Sequence, residues 1–168
     1  MRKLIRAFKS TQDFKPTALG ILVNPYFIVR YNVFKGIKKF SSNFKNGKLL
    51  DFGCGSKPYK SLFNVDEYVG LDTNQSGHSH KNENIDVLYD GKKIPFDDSS
   101  FDYIFSSEVL EHVFNINEII SELHRVLKVN GKILITLPFV WGEHEQPYDF
   151  ARYTSFGMKS ILEKNGFE

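Results

Sequence analysis

Covalent and metal staples are almost absent from this chain. Its single cysteine, Cys54, excludes an internal disulfide and any cysteine cluster for zinc or iron–sulfur, since each needs several thiolates. No stretch approaches ~18 uninterrupted apolar residues, and residues 1–10 carry basic side chains without an apolar core long enough for a signal peptide. These absences read as a chain that does not span a membrane and works in a reducing cytoplasm. Acid is also nearly missing from the first 48 residues, which hold 11 Lys/Arg against Asp13 alone, whereas residues 49–168 hold 11 against 19. The net charge of +2 thus hides +10 followed by −8. A basic segment can bind phosphate, nucleic acid or anionic lipid, or dock on the acidic remainder by long-range attraction.

What is present describes a packed domain. Apolar residues make up 41% and charged residues 25% of 168, near the globular average, and the length suits one core. Internal repeats and low-complexity tracts are absent.

Pro16 and Asn24-Pro25 break the first 46 residues, and a helix follows Pro25. Phe27, Tyr31, Phe34, Ile37 and Phe40 recur near helical spacing, with Arg30, Lys35, Lys38 and Lys39 as a basic face. We divide the chain into a basic helical segment, 1–46, and a main domain, 47–168. From Lys48 short apolar runs alternate with helical stretches, the pattern of βαβ units on a parallel sheet. Strands are expected over Lys48 to Phe52, Tyr68 to Leu71, Ile85 to Tyr89, Phe101 to Ser106 and Lys132 to Leu137. A helix should open near Pro58, whose missing N–H costs nothing in a first turn. Residues 73–84 are too polar for a core element. Ile116, Ile119, Ile120, Leu123, Val126 and Leu127 share one helical face, with Asn115 and Glu118 as a capping box and Asn130-Gly131 as the stop. A last helix runs from Thr154 or Ser155 to Lys164. The fold class is a Rossmann-like, doubly wound α/β fold with a mainly parallel sheet of about five strands, binding its ligand outside the strand carboxyl ends.

Gly53 and Gly55 follow the first strand directly, where a backbone must turn sharply and approach a ligand closely. The second strand ends at Asp72, a carboxylate placed to accept hydrogen bonds from two ribose hydroxyls. Pro58 occupies the position of the third glycine of a dinucleotide fingerprint, which disfavours NAD, and no P-loop sequence occurs.

The runs Asp51-Phe-Gly53-Cys-Gly55, Val69-Gly-Leu-Asp72, the stretch from Ile94 to His112, and His124-Arg125-Val-Leu-Lys128 followed by Asn130-Gly131 occur in order. In this the chain resembles class I S-adenosylmethionine-dependent methyltransferases of the type 11 kind. The resemblance implies S-adenosylmethionine as cofactor and S-adenosylhomocysteine as product. It implies that Gly53 and Gly55 line the methionyl portion, Asp51 serves its amino group, Asp72 takes the ribose, Asp90 meets the adenine amino group, and Ser107 and Glu108 frame the cofactor beneath the methyl. Lys57 departs from the pattern, standing where many relatives have the last glycine of the run. Relatives also carry two further strands after the last helix, so the Lys132 to Leu137 strand is expected to show an open edge, inviting self-association.

Methyl transfer from a sulfonium is a direct displacement, so no enzyme nucleophile is needed. His144, in the segment from Trp141 to Thr154 beyond the fifth strand, is the candidate general base, with a hydrogen-bonded loop residue as the plainer reading. His112 reads as structural, His78 and His80 as exposed loop residues, and no metal is expected. The N-terminal helix near Tyr26, Arg30 and Tyr31 either covers the cofactor or acts as a scaffold. The expected acceptor is a small molecule, and the basic N-terminus suits an anionic one, such as a surface-glycan or lipid-linked intermediate. No Asn/Asp-Pro-Pro-aromatic motif follows the fourth strand, so a nucleic-acid acceptor is not expected. A noncatalytic cofactor-binding or partner-interaction module is the alternative.

Overall fold

A computed structural model describes residues 11–73 and 84–168. His78, His80 and nearly all of the polar 73–84 segment therefore lie outside the described residues. The chain forms two compact units, one within Met1–Lys45 and Pro58–Asn64, the other Asn46–Lys57 with Val65–Glu168.

In the first unit a 3-10 stretch, Ala18–Leu22, precedes helix α1, Phe27–Ser41. The aromatic spacing of α1 buries less than the pattern promises: Ile37 and Ser41 are buried, while Tyr31 and Phe40 stay about half exposed. Phe44 stacks at a tilt on Phe63, ring centres 5.7 Å apart, and Phe14 meets the edge of Tyr59 at 6.1 Å. The helix expected after Pro58 is only one 3-10 turn, Lys60–Leu62. Residues 53–66 alone separate the first two strands, and the first five of them turn, which leaves too little chain for a full crossover helix.

The second unit is built on five parallel strands, β1 (Lys48–Phe52), β2 (Glu67–Thr73), β3 (Val87–Tyr89), β4 (Phe101–Ser107) and β5 (Leu127–Thr136), in the order β3-β2-β1-β4-β5. Both neighbours of β1 run parallel to it, so Asp51 lies beside Gly70 of β2 and Phe105 of β4. β5 pairs only with β4 among the described strands and forms an edge. Helices α2 (Ile116–Val126) and α3 (Ser155–Lys164) complete the unit. Ile119, Ile120, Leu123 and Val126 of α2 are fully buried with Leu50, Ile104 and Phe101 of the sheet. Each such side chain contributes roughly 1.5–3 kcal/mol of burial.

Three local details differ from the sequence pattern. Asn115 does not cap the α2 amide of Glu118; its side-chain amide donates to the Glu118 carboxylate at 2.8 Å instead. Nor does Asn130-Gly131 end α2. Leu127 is already extended and begins β5, and Asn130, at φ +61°, sits in a bulge where pairing jumps from Phe101↔Leu127 to Tyr103↔Lys132. The strand β3 is also short, because Ile85 and Asp86 precede its first pair, Leu71↔Val87. By contrast α3 starts on Thr154, whose hydroxyl accepts from the Gly157 amide at 3.0 Å, and it stops at Gly166, φ +96°.

Arg125 explains why the 94–100 loop holds its shape before β4. Its guanidinium donates to the carbonyls of Ile94 and Phe96 and to Asp98 and Glu122, all within 2.7–2.9 Å, while Glu122 accepts from the Ile94 amide. Ile94 is thereby driven into the core and Phe96 presents its ring edge to Phe101 at 4.9 Å.

Gly70 of β2 has no room for a side chain, because an added Cβ would collide with Lys57 Cε and lie 2.7 Å from Cys54 Sγ. Gly70→Ala should cost about 1–3 kcal/mol by overpacking. Gly36 in α1 meets nothing within 4 Å, so Gly36→Ala should stabilise by roughly 0.5–1 kcal/mol. Urea unfolding of both variants checks the pair, and equal effects of one sign would contradict it.

Candidate functional site

The site forms at the carboxyl ends of β1, β2 and β4. Gly53 leaves β1 at φ +73°, and an added Cβ would run into the Val109 side chain, so only glycine fits. The amides of Gly53 and Cys54 both donate to the Leu71 carbonyl, at 2.9 and 3.2 Å, which pins the turn against the end of β2. Asp72 then accepts from the Gly55 amide at 2.8 Å through Oδ2 and from the Thr73 amide at 2.8 Å through Oδ1. Each carboxylate oxygen keeps a lone pair for a ligand hydroxyl.

A cavity of about 130 Å³ opens beside this turn, walled by Phe52, Gly53, Gly55, Asp72, Thr73 and Tyr89 on one side and by Glu108, Val109, His112, Val113, Glu145 and Tyr148 on the other. Ligand cavities commonly measure ~300–1,000 Å³, so this one is smaller than a whole cofactor site. A larger concavity, about 830 Å³, runs along Ile133, Ile135, Leu137, Tyr153, Met158 and Leu162. It gathers neither the glycine turn nor the strand-end acids, which line the smaller one.

Four of the residues singled out by sequence, Gly53, Gly55, Asp72 and Glu108, line the cavity together. Glu108 is in the left-handed region at φ +56°, and its Oε1 is buried without a hydrogen-bond partner. Asp51 is not in the wall. It lies under the turn, 3% exposed, accepting from the Tyr68 hydroxyl at 2.6 Å. Burial is the largest influence on its carboxyl and pushes it up to about 7, against the lowering effect of the Tyr68 hydrogen bond. Asp90 is exposed and accepts from the Lys92 amide at 3.0 Å, as in an Asx turn. Ser107 exchanges a hydrogen bond with Thr136 across the β4–β5 pair at 2.8 Å.

Lys57, the departure in the glycine run, adopts φ +55°, the backbone conformation that glycine would take at no steric cost. Its side chain is 3% exposed and reaches Asp86 at 2.5 Å, and Asp86 also accepts from the Gly70 amide at 2.6 Å. The lysine thus ties the turn to the approach of β3 beneath the cavity.

On the far wall the sequence pattern missed a convergence. His112 lines the cavity, and His144 stands against it edge-on, ring centres 4.7 Å apart, outside the wall itself. Glu111 is fully buried, with both carboxylate oxygens lacking a hydrogen-bond partner, and burial pushes it up to about 8. Asp149 accepts from the His144 amide at 2.9 Å and from both terminal nitrogens of Arg152, which holds its carboxyl well below the usual range. His112 and His144 are far apart in sequence, so no spacing rule could join them.

The residues fit a nucleoside-bearing cofactor on two counts: a strand-end carboxylate with open lone pairs, and an orphaned glutamate oxygen in the wall. A family model described as a methyltransferase domain matches residues 50–135. Over 145 residues, 77% of this chain and 33% of the relative, it is 30% identical to phosphoethanolamine N-methyltransferase 2 of Caenorhabditis elegans. Over 141 residues, 76% of this chain and 55% of the relative, it is 32% identical to the ubiquinone biosynthesis O-methyltransferase of Pelagibacter ubique. The chain therefore spans between a third and just over half the length of these two relatives. The fold matches the YcgJ protein of Bacillus subtilis at TM-score 0.63 and 18% identity, over 80% of this chain and 68% of that one. It also matches phosphoethanolamine N-methyltransferase 2 of Haemonchus contortus in complex with S-adenosyl-L-methionine, at TM-score 0.58 and 22% identity, over 95% and 44%.

Asp51 supplies a pH test of the buried floor. Its raised carboxyl holds a proton more tightly folded than unfolded, where its value is about 3.8. Its contribution to stability is therefore complete below about pH 4 and declines as pH rises to about 7. Asp51→Asn should remove that decline, and urea midpoints of wild type and variant between these limits check it; parallel pH profiles would overturn the assignment.

Proposed function

The chain belongs to the methyltransferase-domain family, and from that premise we propose that it transfers a methyl group from S-adenosylmethionine to a small-molecule acceptor. Bound S-adenosylmethionine supplies a methyl on a sulfonium, activated for direct displacement. The protein's part is to align donor and acceptor, which can account for much of the acceleration. Gly53 and Gly55 let the backbone come close to the cofactor, Asp72 takes the ribose hydroxyls, and Glu108 meets a polar group on the opposite wall. Asp51, Asp90 and Ser107 act at one remove in this reading, through the turn, the loop after β3 and the β4–β5 pair. The observation that carries the proposal is the Asp72 carboxylate, fixed by the Gly55 amide at the cavity wall.

The acceptor side is the wall of His112, Glu145 and Tyr148. The two relatives name different acceptor atoms, nitrogen in one and oxygen in the other. An anionic acceptor suits the +10 of residues 1–48. None of the described helices is long and apolar enough to cross a membrane, and a cytoplasmic site of action belongs to the proposal. So does pairing of a second copy along the open β5 edge, which light scattering reads as a dimer.

Calorimetric titration tests the cofactor. S-adenosylmethionine and S-adenosylhomocysteine should bind saturably and NAD should not. Asp72→Ala should weaken the first two by about 1–3 kcal/mol, the range for stranding buried polar partners. Unchanged affinity in a folded variant would refute the ribose role.

A further inference from the structure

We infer that Glu111, His112 and His144 form a binding site for a divalent transition-metal cation on the acceptor wall. One carboxylate oxygen of Glu111 and one ring nitrogen of each histidine lie within 4.8 Å of one another. Around a tetrahedral cation, ligand atoms at ~2.0–2.2 Å stand about 3.3–3.6 Å apart, so the three groups would draw together by up to about 1.5 Å on binding. Two imidazoles and one carboxylate are the donor set that holds zinc in several hydrolases and iron in oxygenases, and they leave coordination positions open.

The hydrogen bonds orient both histidines for this task. His112 Nδ1 lies 2.6 Å from the Tyr148 carbonyl oxygen, which can only accept, so Nδ1 carries the proton and Nε2 keeps its lone pair. His144 Nδ1 lies 3.2 Å from both the Gly142 carbonyl and Asp149 Oδ2, again acceptors only, so its Nε2 is left bare in the same way. A histidine whose second nitrogen donates to a carbonyl or carboxylate is the usual support of a metal ligand. Arg152 in turn grips Asp149 with two nitrogens and fixes this outer layer.

Glu111 is the independent sign of a cation. It is 0% exposed, and neither carboxylate oxygen has a hydrogen-bond partner, although His112 Nε2 is only 3.8 Å from Oε1. A buried carboxyl with neither oxygen hydrogen-bonded is costly in either protonation state, and such orphaned oxygens ordinarily meet a donor or a metal. A cation between Glu111 and the two bare nitrogens removes that cost. His144 is then a ligand, not a free base.

The class of acceptor follows from the open positions. His112 faces the cavity, so a cation there would bind an acceptor hydroxyl, lower its pKa and release its proton to solvent, leaving the oxygen lone pair free to attack. This role rests on the methyl-transfer reading, whereas cation binding itself does not.

Titration of the chelator-treated full chain with Co2+ and with Zn2+, followed by calorimetry and by the visible absorption of Co2+, tests the site. One equivalent should bind. Glu111→Gln, which keeps the shape of the buried side chain, and His144→Ala should each weaken binding at least tenfold. Asp149→Asn, which touches no cation, should weaken it by about 10-fold through the second layer. His78→Ala/His80→Ala should bind as the unaltered protein does. Failure of the folded protein to bind one equivalent, or binding that Glu111→Gln and His144→Ala leave unchanged, would overturn the inference. Because neither cofactor nor acceptor is present, cation binding without S-adenosylmethionine binding refutes only the methyl-transfer reading, and the reverse refutes only the cation site.

Discussion

The turn out of β1 is the constraint on which the rest of the site depends. At Gly53 the chain must enter the left-handed region with the Val109 side chain packed where a Cβ would be, and two successive amides then close on the Leu71 carbonyl. A side chain at this point would push Val109, and with it the segment after β4, away from the turn. Because the strands are parallel, their carboxyl ends share one edge of the sheet. The same turn therefore brings Asp72, Glu108 and His112 to one cavity, although they come from segments far apart in the chain.

Beneath the cavity the protein places ionisable side chains in a poorly solvated layer, where burial favours the neutral form of Asp51. Lys57 is nearly inaccessible and bonded to Asp86, and Asp51 is buried against Tyr68. Removing either partner of such a pair strands the other, which costs more than the pair itself contributes. The lysine accordingly substitutes for a glycine in the turn by a different device. Its backbone adopts the strained conformation, and its side chain is held by Asp86, a residue that also accepts the Gly70 amide.

The two walls divide the chemistry. The glycine turn and Asp72 form a surface of backbone amides and one carboxylate, suited to a neutral or cationic polar ligand that offers hydroxyls. The opposite wall presents His112, with His144 and the fully buried Glu111 behind it and Arg152 and Asp149 beyond. Packing explains the placement of the second wall: the amides of Phe150 and Ala151 both donate to the Glu111 carbonyl, which draws the loop after β5 across the end of β4.

Composition, periodicity and short motifs by themselves determined that this is a parallel α/β domain of five strands, and that Gly53, Gly55 and Asp72 converge, because strand alternation and glycine after a strand are local signals. Helix α3 was legible for the same reason, though the hydroxyl cap of Thr154 came only from the structure. The sequence could not show that the segment after Pro58 makes only one short turn, that α2 runs straight into β5 through a bulge at Asn130, or that Asp90 turns back on Lys92. Those outcomes depend on how much chain is left between paired strands and on which amide reaches a carboxylate first. The meeting of Glu111, His112 and His144 was decided only by tertiary structure, since what joins them is the packing of one loop against another and no residue spacing records it.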